Sequence, residues 1–263
     1  MQERFIGTVF LLFHYATLPC VLASVCAAVF MVYDRKRGKT MLLSLSAAVS
    51  LNTLLKALFM VPRPWAIHPE TAPFMAEGGY AFPCLHMQAT AAVLCAFALL
   101  SGKRPIRILC AAGILTAAVW RIAGGLQSAV DALAGVAAGI LCAVLICRFR
   151  SDENAPAGRL AAGIVFLSGI AAAIFFDDPW GAGSAMSVFV LDLLEPFFVK
   201  ADSGRTRFGR LYGTILAIGV YAGMYIFLPF LIEWLITPLW PGQILIIFLI
   251  TLFPCLLSLF PVF

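Results

Sequence analysis

The sequence predicts an all-α fold, a polytopic helical bundle built to sit in a membrane, and three observations carry that reading. Apolar residues fill 62% of the 263 positions and the mean hydropathy is +0.99, against roughly 45–50% apolar in soluble domains. Runs long enough to cross a bilayer, about 20 residues each, recur along the whole chain. Basic residues gather in alternate connections between those runs. This pattern excludes a soluble globular enzyme. The net charge of +5 is membrane anchoring and needs no nucleic-acid partner.

Taken in order, the spans fall near 8–33, 40–61, 85–101, 105–122, 129–148, 159–176, 184–200, 209–235 and 241–262. That is about eight or nine transmembrane helices, each near the bilayer length. The stretch from Arg4 to Tyr33 is long enough for an interfacial helix that runs into a spanning one. The N-terminus lacks the charged region and small-residue cleavage site of a cleavable signal peptide. Residues 1–150 read as a membrane core, and 151–263 as additional C-terminal helices of the same membrane domain.

Charge placement orients the bundle. Arg35, Lys36, Arg37 and Lys39 follow the first span, and Lys103, Arg104 and Arg107 follow the third. Arg148, Arg150 and Arg159 follow the fifth; Lys200, Arg205, Arg207 and Arg210 follow the seventh. One face thus holds 14 of the 18 Lys and Arg residues, and the positive-inside rule makes it cytoplasmic. The other face holds Glu70, Glu77, Asp177 and Asp178, with Lys56, Arg63 and Arg121. Those three cations are expected at the outer, extracytoplasmic face of what reads as a bacterial inner membrane.

Each cation has chemistry of its own. Lys56 ends an apolar run, where its stem can lie in lipid while the ammonium reaches the interface. Arg63 stands between Pro62 and Pro64, so a stiff, extended backbone presents its guanidinium. A guanidinium makes bidentate contacts to phosphate oxygens, and a lysine adds a point charge. Singly, each reads as an interfacial anchor; jointly on one face, they suit an anionic headgroup. The eight cysteines form no CxxC pair and no Cys/His spacing suited to zinc, so no metal or other cofactor is expected. Cys84 alone stands in an outer loop, with no evident disulfide partner.

The cations belong to three spaced segments: Lys56 with Arg63-Pro64; Pro83-Cys84-Leu85-His86; and Trp120-Arg121 with Gln127 and Asp131. Together these resemble the signature of the type-2 phosphatidic acid phosphatase family, over about residues 40–145. That signature runs Lys, six residues, Arg-Pro; then Pro-Ser-Gly-His; then Ser-Arg, five residues, His, three residues, Asp. The resemblance implies a phosphate site formed by Lys56, Arg63, Cys84 and Arg121. It implies that His86 donates a proton to the leaving alcohol, and that Gln127 stands where the family carries its nucleophilic His. Asp131 matches the residue that orients that His. Four residues on from Gln127, it is expected one helical turn away on the same side, bonding Gln127 or pairing with Arg121.

Gln127 can donate and accept hydrogen bonds but cannot attack phosphorus as an imidazole does. Losing a nucleophile costs about a million-fold in a serine protease. The cradle differs too. Cys84 donates weakly, Leu85 replaces the glycine that lets a main chain approach a ligand, and Trp120 removes a hydroxyl. The other histidines are His14 and His68, of which His68 lies in the motif loop. After Asp131, the run from Ala132 to Gly139 makes a small-residue helix face fit for close packing.

Three functional classes follow. One is a non-catalytic member that binds a phosphorylated, diphosphorylated or isoprenoid-type lipid. Another is an active lipid phosphatase with a rearranged site, using His68 or water. The third is a transporter or scaffold in which Asp192 and Glu195, three apart on one helix face, matter most. Retained cations with a lost nucleophile favour the first.

Overall fold

The computed structural model describes residues 13–69, 78–150 and 156–176. Their regular structure is wholly helical. The helices are α1 (Pro19–Ala28), α2 (Arg35–Phe59), α3 (Pro64–Ile67), α4 (Leu85–Ser101), α5 (Arg104–Ala123), α6 (Ala129–Phe149) and α7 (Pro156–Phe176). Three are long and apolar enough to cross a membrane: α2, α5 and α6. The spans expected near 184–200, 209–235 and 241–262 lie outside the described residues.

Local chemistry sets the boundaries. The expected 8–33 span is not one continuous helix, because Pro19 opens α1 and holds Leu18 extended (φ −63°, ψ 137°), as a residue before proline prefers. α1 runs into a π-turn, Val29–Tyr33. Extended Asp34 then restarts the chain as the N-cap of α2, its carboxylate accepting from Arg37 N at 3.0 Å. This cap moves the start of α2 ahead of the expected residue 40. Gly102, at φ +67°, ends α4 in the left-handed conformation that glycine adopts without strain.

Connection lengths dictate the topology. Two residues separate α4 from α5, and five separate α5 from α6, so successive helices reverse direction. α4 and α6 consequently run parallel, and they pack very closely. A Cβ placed on Gly135 would lie 2.6 Å from the Cys84 carbonyl oxygen, and one on Gly139 would collide with the Gln88 carbonyl oxygen. The small-residue face read from the sequence is therefore the seam that α4 fills.

α2 packs on α4 through a buried amide relay. Asn52 Nδ2 donates to Gln88 Oε1 (2.8 Å) and to the Pro83 carbonyl (3.0 Å), and Gln88 Nε2 donates to the Ala48 carbonyl (2.9 Å). The main apolar core joins Leu42, Leu45 and Val49 of α2 to Val93 of α4, Ile146 of α6 and Val165 of α7. Leu109, Leu115 and Val119 of α5 and Leu133 of α6 point outward, as lipid-facing positions do.

The same topology sorts the charges. Arg35 to Lys39, Lys103 to Arg107, and Arg148 with Arg150 flank one set of helix ends. The end of α2, the start of α4, the end of α5 and the start of α6 form the opposite set, where the three motif segments lie.

The Gly139 contact gives a stability test. An added methyl in a helix ordinarily stabilises by up to about 1 kcal/mol relative to glycine, whereas overpacking a tight core costs about 1–3 kcal/mol. Gly139→Ala should lower the unfolding midpoint in detergent, because the clash is with backbone. Gly163→Ala, which meets open space, should leave the midpoint unchanged or raise it.

Candidate functional site

Hydrogen bonds stitch the three motif segments together at one end of the bundle. Ala81 N donates to the Val61 carbonyl (2.8 Å), tying the second segment's loop to the first. Cys84 N donates to the Asp131 carbonyl (3.1 Å), tying the second to the third. Inside the third, Leu126 N donates to the Arg121 carbonyl (3.2 Å). Gly125, at φ +68°, makes that turn between α5 and α6.

Arg63 lies in the extended stretch between α2 and α3, with Pro64 opening α3. Its side chain is buried, at 5% exposure. Nε donates to the Gly79 carbonyl at 3.2 Å, and the guanidinium lies over the Trp65 ring, 5.3 Å from its centroid. Gln127 closes this arrangement. With its amide turned so that both atoms are satisfied, its oxygen accepts from Arg63 Nη1 at 2.8 Å. Its nitrogen then donates to the Ala81 carbonyl at 3.3 Å. Gln127 of the third segment therefore holds the arginine of the first. Lys56 is half-buried in the last turn of α2.

Asp131 departs from expectation. α6 begins at Ala129, and Ser128 caps it: Ser128 Oγ accepts from Asp131 N (3.1 Å), and the Asp131 carboxylate accepts from Ser128 N (3.2 Å). This reciprocal capping box satisfies two backbone donors of the helix start. Gln127 precedes the cap, so the helical spacing that would put it on one face with Asp131 does not apply. The Asp131 carboxylate bonds neither Gln127 nor Arg121. Cys84 is fully buried; its side chain packs with Met87, Ala117 and Ala132 while its backbone bonds to Asp131. Leu85 is the first residue of α4.

Arg121, at the end of α5, is 3% exposed and lies in a second cluster. Its Nη1 is 3.3 Å from Nδ1 of His14. The His14 and His86 rings lie 5.3 Å apart between centroids, both buried. Phe13 stacks on Trp120 at 5.2 Å with 16° between the planes. No motif contains Phe13 or His14, and only the fold brings them 107 positions along the chain to Arg121. His68 is exposed beyond α3. Among the described residues, no group of three His, Cys, Asp or Glu side chains is placed to hold a metal ion.

The model of the PAP2 superfamily matches residues 37–155. That segment is a PAP2-superfamily domain. It contains every motif residue named above, with helices α3 to α6 and all but the first two residues of α2. No curated protein and no solved structure matches the chain. Asp192 and Glu195, raised by the sequence for a transport role, lie outside both the PAP2 segment and the described residues.

The Arg63–Gln127 bond has a measurable consequence. Hydrogen bonds to charged groups contribute about 1.5–3 kcal/mol, so Gln127→Leu should destabilise the fold by roughly that amount. Denaturant unfolding in micelles measures it; an unchanged midpoint would show that the amide does not hold Arg63.

Proposed function

We propose that this chain binds a phosphorylated or diphosphorylated lipid, including the isoprenoid type, through a PAP2-derived site that hydrolyses it little or not at all. The observation that carries the reading is Gln127. It stands at the nucleophile position of the resembled motif, and its amide is engaged with Arg63 and the Ala81 carbonyl. An amide is not a nucleophile toward phosphorus. Buried Arg63 and Arg121 remain as donors for phosphate oxygens, with Lys56 beside them in sequence register. His86 keeps its motif position, while the nucleophile that the resembled motif pairs with it is replaced by Gln127.

The charge bias supports a site at the extracytoplasmic face of a bacterial inner membrane. We read residues 151–263 as further helices of the same membrane domain, supported by Ala161, Ala162 and Val165 of α7 packing into the core of α2. A working phosphatase with a rearranged site is the second reading, and it needs an imidazole with an available lone pair.

Incubating the purified protein with a panel of lipid phosphates and diphosphates, and following both binding and released phosphate, separates the two. Binding without release is expected. Robust release that disappears in His86→Ala would establish the phosphatase instead. Gln127→His alone should restore little, because Cys84, Leu85 and Trp120 still depart from the motif. Arg63→Ala should weaken binding about ten- to a hundred-fold, the worth of a charge-assisted hydrogen bond. Affinity unchanged by that substitution would make the cations membrane anchors.

A further inference from the structure

The cluster around Arg121 is built partly by residues from outside the PAP2 segment. Thr17 folds the N-terminal segment back on itself, its hydroxyl donating to the His14 carbonyl at 3.0 Å. Phe13 stacks on Trp120, the ring that stands where the resembled motif has a serine. That stack holds the segment against α5 and brings the neighbouring His14 to Arg121, where it is buried. The departure from the motif at Trp120 and the arrival of a histidine in the site are thus one structural event.

Chemistry fixes how His14 contributes. A guanidinium only donates, so Nδ1 of His14 is the acceptor of the Arg121 contact. The neutral ring then carries its hydrogen on Nε2 and is a donor there. With its one lone pair turned to Arg121, such a ring is not a nucleophile for phosphorus, but it is a ligand for an anion. His86 faces it at 5.3 Å, and Arg121 adds a fixed positive charge. Two imidazoles and a guanidinium, all buried and converging from the N-terminal segment, α4 and α5, suit the oxygens of a phosphate group.

We propose that His14 is a headgroup-binding residue of this site, positioned by the Phe13–Trp120 stack, and that with Arg121 and His86 it takes the phosphate of a phosphate or diphosphate ester. The inference rests on the binding reading above and adds a residue to it that lies outside the motifs.

The chain has three histidines, which makes ring ¹⁵N spectroscopy direct. Full-length protein in detergent is titrated with inorganic phosphate and, separately, with short-chain phosphatidic acid. Single His→Gln variants assign the three rings. The His14 ring signals should shift saturably, with the midpoint of overall binding, for both probes; a shift with phosphatidic acid alone marks a site that also needs the lipid portion. His14→Ala should weaken binding about ten-fold or more, as expected for loss of a hydrogen bond to a charged ligand, and His14→Gln should recover part through its amide donor. Phe13→Ala should reproduce part of the loss. Binding by the wild-type protein with unmoved His14 signals, or with the affinity of His14→Ala unchanged, would overturn this inference alone. No binding of either probe to the wild-type protein would overturn the receptor reading and this inference with it. If His14→Ala does not fold, the wild-type titration still decides.

Discussion

Two guanidinium groups buried at one end of an apolar bundle are the constraint on which the rest of this structure depends. Burying a charge away from water is costly unless it is hydrogen-bonded or paired. Arg63 and Arg121 are 5% and 3% exposed, so the surrounding backbone and side chains must supply acceptors in fixed places. Gly79 and Gln127 do this for Arg63, and His14 does it for Arg121. Each of those acceptors is neutral.

Holding those groups in register is the work of the helix seams. The α4–α6 seam brings the start of α4 against the first turns of α6, and Gly135 and Gly139 make the approach close enough for backbone to meet backbone. Cys84 N then reaches the Asp131 carbonyl. On the other side, Asn52 ties α2 to Pro83 and Gln88. In an apolar interior such a relay, with its partners satisfied, fixes orientation more sharply than apolar packing alone. The result is that residues from α2, α4, α5 and α6 meet at one end although they span most of the PAP2 segment.

Much of this was legible in the sequence. The apolar runs marked α4, α5 and α6 closely, whereas α2 starts ahead of the expected residue 40 because its Asp34 cap lies outside the apolar run. The small-residue face of α6 was also legible. The Pro19 break carried a local signal too, but a long apolar run outweighed it. The capping role of Asp131 was written in Ser128-Ala129-Val130-Asp131, and it was obscured by reading Gln127 as helical. His14 was illegible: a contact across 107 positions leaves no trace in spacing or periodicity. Among candidate site residues, then, the sequence located those in motifs and could not locate one recruited by a tertiary contact.

On the proposed reading, loss of a nucleophile and survival of a cationic cradle have different physical consequences. A catalytic imidazole acts only during the reaction, so replacing it removes turnover while leaving ground-state binding groups in place. Had the site simply decayed, buried arginines would be its most expensive remnants, since an unmatched buried guanidinium destabilises the fold. Here Gln127 does not merely fail to act as a histidine. It occupies the bonding position between Arg63 and the Ala81 carbonyl and ties the first two segments together through the third. Trp120 likewise serves as the platform for Phe13, and thereby seats His14. Both departures from the resembled motif make contacts of their own, Gln127 with Arg63 and Trp120 with Phe13. The proposed reading of a rebuilt binding site accounts for that pairing of changes more directly than erosion does, because erosion gives no reason for Gln127 to bond the arginine that remains.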